Sequence, residues 1–340
     1  MACRSIALLV RFPLFLMCLA IPASATAQPS IESPELVKEH LVDIGGGRHL
    51  NMVCIGSGAP AVVFEQGGLS HLLHWQKVQK PVSAFTRACF YDRAGFGFSD
   101  PPGRPVTADN VADDLHRLLH AAGVAGPIVL VGHSLGGLYA THYADKYESE
   151  VTGLVLVDPA FADLMDRSLN PSASKLAQTD NQEIAAFQPC ATLARERKLS
   201  QAAPHGCFQI AANRTPDEIK YLIYQFTRPY LYESILSEDG NLSFRAGQPA
   251  VDYLEIKRAR RSWGNKPVIV LTAGADPDLP SDKGYAAFWK SGHDKLAALS
   301  TRGESIVIPN TAHYIQLDQP DQVIAAIRKV VLEVRQSSVH

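Results

Sequence analysis

Charge is scarce in this sequence, and what there is nearly cancels. Asp, Glu, Lys and Arg make up 19% of the residues and leave a formal net charge of −2. No Lys/Arg stripe is present, so the electrostatic footprint of a nucleic-acid binder is missing. The one dense basic run, Lys257-Arg258-Ala259-Arg260-Arg261, reads as the solvated face of a helix. No glycine-rich loop leads into a lysine as a phosphate cradle would. No His, Cys, Asp or Glu spacing marks a metal site, so neither a metal nor a cofactor is expected. Internal repeats and low-complexity tracts are lacking.

Long hydrophobic runs are lacking too. The apolar stretch from Phe12 to Ile21 is bounded by Arg11 and Pro22 and interrupted by Pro13. It is too short to span a bilayer as a helix. Its flanks give it another reading. Arg4 and Arg11 supply positive charge, and Ala25-Thr26-Ala27 offers a small-x-small cleavage site. Residues 1–27 are therefore expected to be a signal peptide cut after Ala27, with an uncleaved anchor as the alternative. Met17 is too large to precede a lipoprotein cysteine at Cys18. The mature protein is expected in the periplasm or outside the cell, with no stable membrane insertion and a small-molecule substrate as its partner.

Cysteines number only six, and two of them leave with the signal. An oxidising compartment permits bridges among Cys54, Cys89, Cys190 and Cys207. Cys190 and Cys207 lie in a region without strand signals and are expected to pair. That bridge would close a loop of about 16–18 residues and contribute about 3 kcal/mol. Cys54 and Cys89 sit in apolar strand-like runs and read as buried thiols.

What the chain does have is alternation. Apolar runs at His49 to Cys54, Ala61 to Phe64, Ala88 to Tyr91, Ile128 to Val131 and Leu154 to Val157 are interleaved with helical patterns. That is the signature of a mostly parallel sheet covered by helices. Thr107 reads as the N-cap of a helix that Gly123 closes. Residues 160–262 change character: strand alternation stops, and helical segments such as Pro216 to Tyr224 dominate. The aromatic residues gathered there (Tyr221, Tyr224, Phe226, Tyr230, Tyr232) read as core packing. Sheet character returns at Val268 to Leu271 and Ser305 to Ile308, and an amphipathic helix from Pro320 to Val334 ends the fold.

The chemistry gathers at three strand ends. The run Gly132-His133-Ser134-Leu135-Gly136-Gly137 follows an apolar strand and precedes a helical pattern. A G-x-S-x-G turn in that position holds a serine hydroxyl out above the sheet. A serine needs a base, and the base needs an orienting acid. The strand Val268 to Leu271 runs toward Asp276, and Ser305 to Ile308 runs toward His313. Loops past the carboxyl ends of parallel strands converge on one edge. Ser134, Asp276 and His313 are therefore expected to meet, with Asp278 and Asp158 as rival acids. The backbone N–H groups of Leu135 and Gly68 are expected to form the oxyanion hole, with Leu69 next in line. His133 reads as a packing residue, and His71 and His74 as possible pocket lining.

These pieces resemble the α/β-hydrolase superfamily, in its serine-nucleophile branch with a helical cap. The matching segments are Glu65-Gln66-Gly67-Gly68, Tyr91-Asp92-Arg93-Ala94-Gly95-Phe96-Gly97-Phe98-Ser99, the serine turn, Gly274-Ala275-Asp276-Pro277 and Ala312-His313. The resemblance implies an α/β-hydrolase fold: a mostly parallel eight-stranded sheet flanked by helices, with an inserted helical cap. The core would comprise residues 28–159 and 263–340 and the cap residues 160–262. The Asp92-Arg93 stretch is a structural turn in that family, so neither residue is given chemistry. Gln66-Gly67 departs from the His-Gly of many members. A serine nucleophile speaks against the epoxide-hydrolase and haloalkane-dehalogenase branches. The function implied is hydrolysis of a small or medium carboxylic ester through an acyl-enzyme. A C–C bond hydrolase, or a peptidase holding an N-terminal amine with Glu218 or Glu233, would use the same triad. A non-catalytic ligand-binding protein on the same scaffold is the rival from another class.

Overall fold

The computed structural model describes residues 36–124, 126–166, 168–170, 173–242, 249–259, 262–275 and 283–337. The signal segment, Asp276, Asp278, Arg260 and Arg261 lie outside the described residues. Eight strands form one sheet: β1 (Leu41–Asp43), β2 (His49–Ile55), β3 (Ala61–Glu65), β4 (Ala88–Tyr91), β5 (Ile128–His133), β6 (Val151–Val157), β7 (Gly264–Ala273) and β8 (Ser300–Ile308). Their spatial order is β1-β2-β4-β3-β5-β6-β7-β8. Strands β3 to β8 pair in parallel, and β1 and β2 add an antiparallel edge. The helices are α1 (Gln76–Ser83), α2 (Ala108–Ala121), α3 (Leu135–Lys146), α4 (Ala173–Arg195), α5 (Pro216–Phe226), α6 (Pro229–Leu242), α7 (Val251–Arg258), α8 (Lys283–Ala297), α9 (Ile315–Asp318) and α10 (Pro320–Ser337).

The period-2 alternation of side chains sorts each strand between two cores. In β5, Ile128 and Leu130 pack toward α2, α3 and α8, while Val129 and Val131 pack toward α1 and α10. Both faces are covered, so the central strands are apolar throughout, as buried parallel strands are. Local signals act as the sequence suggests. Thr107 accepts a hydrogen bond from Asn110 N, and Gly123 follows α2 with φ +63°. Thr215 and Glu218 close a reciprocal capping box around the start of α5.

Helices α4 to α7 lie between β6 and β7, and α4, α6 and the segment after α4 build a third core. Phe187, Ala191, Phe208, Leu231, Tyr232 and Ile235 pack there with Phe96 from the sheet domain. The Cys190–Cys207 disulfide is buried in this core. A second disulfide joins Cys54 to Cys89, where the sequence reading had buried thiols. The reason is register. β2 pairs with β4 across a gap in the sequence, and that antiparallel pairing sets Cys54 directly opposite Cys89.

Candidate active site

Ser134 stands between β5 and α3 with φ 54° and ψ −125°. A non-glycine residue in that region is strained and persists only where its surroundings fix it. The surroundings are tight. A Cβ on Gly136 would lie 2.4 Å from the Gln66 carbonyl oxygen, and one on Gly137 would lie 2.4 Å from Pro159 Cβ. Only glycine lets α3 start this close to the loop after β3 and the loop after β6. Ser134 is partly exposed while its neighbours in the turn are buried.

The β6 terminus is hydrogen-bonded to this turn on both sides. Ser134 N donates to Val157 O (3.1 Å), and Ala160 N donates to Ser134 O (2.9 Å). Asp158, enclosed between those bonds, has φ +44° and is fully buried. Its Oδ1 accepts from Ala273 N (2.9 Å) and Trp289 Nε1 (3.0 Å). Its Oδ2 lies 2.7 Å from His313 Nδ1. Burial alone would raise the Asp158 carboxyl. The hydrogen bond and charge of His313, the His293 ring and the Trp289 donor outweigh burial and hold it below its usual value. The carboxylate beside His313 is therefore Asp158, the rival named from the sequence. Asp276, placed first there, lies outside the described residues.

His133 does more than pack. Its Nε2 lies 3.0 Å from the His313 carbonyl oxygen, and the two rings are 4.6 Å apart. Burial first, and then the neighbouring His313, hold the His133 ring well below its usual pKa. A neutral ring that donates through Nε2 ties the His313 main chain to the residue before Ser134. Three remote segments thus meet at one edge of the sheet, as parallel strand ends do.

Residues 56–326 match the Alpha/beta hydrolase family. The chain belongs to that family. Among solved structures it is similar to an esterase from Thermogutta terrifontis, with TM-score 0.57, 20% identity, and coverage of 87% of this chain and 99% of that one. It is also similar to epoxide hydrolases from hot-environment metagenomes (TM-score 0.63, 19% identity, 86% and 98% coverage). A third is the meta-cleavage product hydrolase of Pseudomonas fluorescens IP01 (TM-score 0.56, 19% identity, 88% and 99% coverage). At these identities the likeness is one of fold. A curated relative, "Probable transporter efuK" of Hormonema carpetanum, is 39% identical over 131 residues, or 36% of this chain. The match spans only 19% of that relative's length, and similarly small shares of the next two.

In this alpha/beta hydrolase the loop after β3 closes over the serine. A Cβ on Gly67 would lie 3.3 Å from Ser134 Cβ, and one on Gly68 would lie 3.2 Å from Leu135 Cδ2. Gly68 and Leu135, the two residues expected to donate to an oxyanion, are therefore neighbours. Leu69 follows with φ 54°. The loop is held from beneath by Arg93, which the sequence reading left without a role. Arg93 is 2% exposed. Its Nη1 donates to the Gln66 carbonyl and to Glu65 Oε1 (2.8 Å), and its Nη2 donates to the Gly67 carbonyl (2.9 Å). Its Nε donates to Glu238 Oε1 (2.9 Å) on α6. Burial opposes the Arg93 charge, but Glu238 and Glu65 outweigh it and raise its pKa. Burial also raises Glu65, and pushes Glu238 up to about 7.

Asp92 holds the other end of that turn. It accepts from Asn51 Nδ2 (2.9 Å), Phe98 N (3.1 Å) and the hydroxyl of Tyr221 on α5 (2.8 Å). Asp92 and Arg93 are positioning residues in the sense that each joins the sheet to the helices inserted after β6. The sequence signal for this was the Asp92-to-Ser99 motif itself. His71 and His74 stack 4.2 Å apart beside the loop, and His74 lies 4.9 Å from the Tyr314 ring. Burial keeps both neutral, lowering His71 to about 3. Glu218 is engaged in its capping box, and Glu233 pairs with Arg195 (2.8 Å) at the exposed surface.

Proposed function

We propose that this protein is an exported serine hydrolase that cleaves small or medium carboxylic esters through an acyl-enzyme. The observation that carries the reading is the 2.7 Å contact between His313 Nδ1 and buried Asp158, beside the strained turn of Ser134. An imidazole that donates through Nδ1 carries its basic lone pair on Nε2. His313 takes the Ser134 proton as Oγ attacks the ester carbonyl, and Asp158 stabilises the imidazolium that forms. The amides of Gly68 and Leu135 receive the developing oxyanion. His313 then returns the proton to the leaving alcohol. Water, deprotonated by the same ring, releases the acid.

Two further features support this reading over its rivals. The carboxylates considered for holding a peptide's amine, Glu218 and Glu233, already have other partners, which favours an ester. A complete set of nucleophile, base and acid is more than a binding protein requires. Residues 160–262 serve as the cap that limits the size of the acyl group. Export is supported by two disulfides, which persist in oxidising compartments. No helix among the described residues is long and apolar enough to cross a membrane.

The test is labelling with a fluorophosphonate followed by peptide mapping, together with turnover of short p-nitrophenyl esters. Label on Ser134, and its loss together with esterase activity in folded Ser134→Ala, is the expected result. An active preparation that labels elsewhere, or a Ser134→Ala protein with near wild-type turnover, removes Ser134 from the mechanism.

A further inference from the structure

The opposite edge of the sheet holds a second cluster of ligand-type side chains, far from Ser134. His116 and His120 lie one turn apart on α2, and Glu150 closes the short 3-10 turn Glu148–Glu150 that leads into β6. His116 Nδ1 lies 2.9 Å from Glu150 Oε1, and His120 Nε2 lies 3.0 Å from the same oxygen. One ligand atom from each residue falls within 4.8 Å of the others. We infer that His116, His120 and Glu150 form a binding site for a borderline divalent transition metal, of which zinc is the reference ion.

The donor set fits that chemistry. Two imidazoles and one carboxylate suit zinc, copper or nickel better than calcium or magnesium. Zinc bonds to such donors of about 2.1 Å require tetrahedral ligands to sit about 3.4 Å apart. The two contacts to Glu150, at 2.9 and 3.0 Å, would open by about 0.4–0.5 Å to admit the ion. The ligands are also held from outside. Tyr143 OH donates to the other carboxylate oxygen of Glu150. The Tyr147 ring stacks on His116 at 4.1 Å with planes 2° apart. Such outer partners orient ligands and tune a metal site.

Access and rigidity also fit. The His120 side chain is 51% exposed and that of Glu150 16%, so an ion can enter while the carboxylate stays fixed. The backbone at Glu150 is packed closely, since a Cβ on Gly126 would lie 2.9 Å from Glu150 Cα. Glu150 and Asp158 stand at opposite ends of β6, roughly 25 Å apart along the strand. The metal would therefore join α2 to the entry of β6 and take no part in ester chemistry. The sequence did not reveal this site, because Glu150 lies 30 residues from His120 and only the sheet brings it back.

The experiment uses the mature chain without a histidine tag. Zinc is titrated by calorimetry and by competition with a chromogenic chelator, and thermal melting is followed with and without zinc. One zinc per chain and a raised melting temperature are expected. His120→Ala and Glu150→Gln should each abolish stoichiometric binding and the zinc-dependent shift while keeping the wild-type circular dichroism and esterase turnover. Tyr143→Phe should weaken binding by about tenfold. No saturable binding by the wild-type chain would overturn the inference. So would binding that survives in both His120→Ala and Glu150→Gln, which would put zinc on other residues.

Discussion

The sheet and the helices inserted after β6 are held together by opposite means. In the sheet, register does the work: apolar side chains alternate between two cores, and the ends of β5 and β6 are joined by backbone hydrogen bonds. The inserted helices have an apolar core of their own around α4 and α6, and although Tyr221, Leu222 and Ile256 also pack into the sheet's two cores, buried polar contacts fix where the helices sit. Tyr221 reaches Asp92, Glu238 reaches Arg93, Gln225 accepts from Gly97 N, and Asp252 accepts from Ala108 N. Apolar packing is tolerant of small shifts, whereas hydrogen bonds between buried polar groups are directional and costly to leave unmade. The insertion is therefore keyed to one position on the sheet, and one of the keys, Glu238 to Arg93, reaches the guanidinium that holds the Gln66 and Gly67 carbonyls of the loop after β3.

The largest expected effect belongs to the sheet side. Asp158→Ala removes the group that orients His313 and should lower kcat by about 10⁴, as loss of an orienting acid does. The fold should survive with the insertion in place. Asp276→Ala is the companion measurement. If it is the one that costs three or four orders of magnitude while Asp158→Ala is nearly silent, the acid is Asp276. Next comes the strongest key between the regions. Arg93→Met strands Glu65 and Glu238 without their cation, which should cost about 3–5 kcal/mol in urea unfolding. It should also lower kcat, because the Gln66 and Gly67 carbonyls lose their donor. A stable Arg93→Met protein with unchanged kcat would show that the loop is set without Arg93.

How much of this was legible in the sequence follows the same division. Strand positions, the serine turn, the α2 cap at Thr107 and the convergence of Ser134 with His313's segment are local or follow from parallel strand order. Those could be read directly. Asp158 was visible only as a rival, because nothing in Asp158-Pro159 separates an orienting acid from a turn residue. Its contact with His313 depends on the positive φ after β6 and on donors from Ala273 and Trp289, more than 100 residues on. Cys54 and Cys89 were misread for the same reason, since β2 pairs with β4 and not with β3, the strand that follows it in sequence. Arg93 was set aside as a turn residue. The motif marks the turn, but the four acceptors of Arg93 come from the end of β3, the loop after it and α6, so the motif does not say what Arg93 holds.

Smaller effects sharpen the insertion side of the comparison. Replacing Cys190 and Cys207 by serine should cost about 3 kcal/mol, and the loss should fall mainly on the insertion's own core. Hydrogen exchange that loosens α4 and α6 while leaving β5 and β6 protected is the expected pattern. Uniform loosening would mean that the two regions unfold as one unit. Tyr221→Phe removes a single key. It should cost about 1–2 kcal/mol, since Asp92 keeps its Asn51 and Phe98 donors but loses the Tyr221 hydroxyl.

The mildest test is of pH. Burial first, then the nearby Glu255, Glu238 and Asp109 charges, push Asp252 up to about 8 from its ordinary 3.8. The native state therefore keeps a proton that the unfolded chain gives up above pH 4. Stability from this group is complete below that point and falls as pH rises toward 8. Asp252→Asn keeps an acceptor for Ala108 N but cannot ionise. Its unfolding free energy should fall less between pH 5 and pH 9 than the wild type's, while the remaining slope reflects the other buried carboxyls that are raised, Glu65, Asp92 and Glu238, the last to about 7. An unchanged slope in Asp252→Asn would mean that Asp252 stays charged where α7 meets α2, and that this contact between the two regions is an ionised cap on the α2 N-terminus.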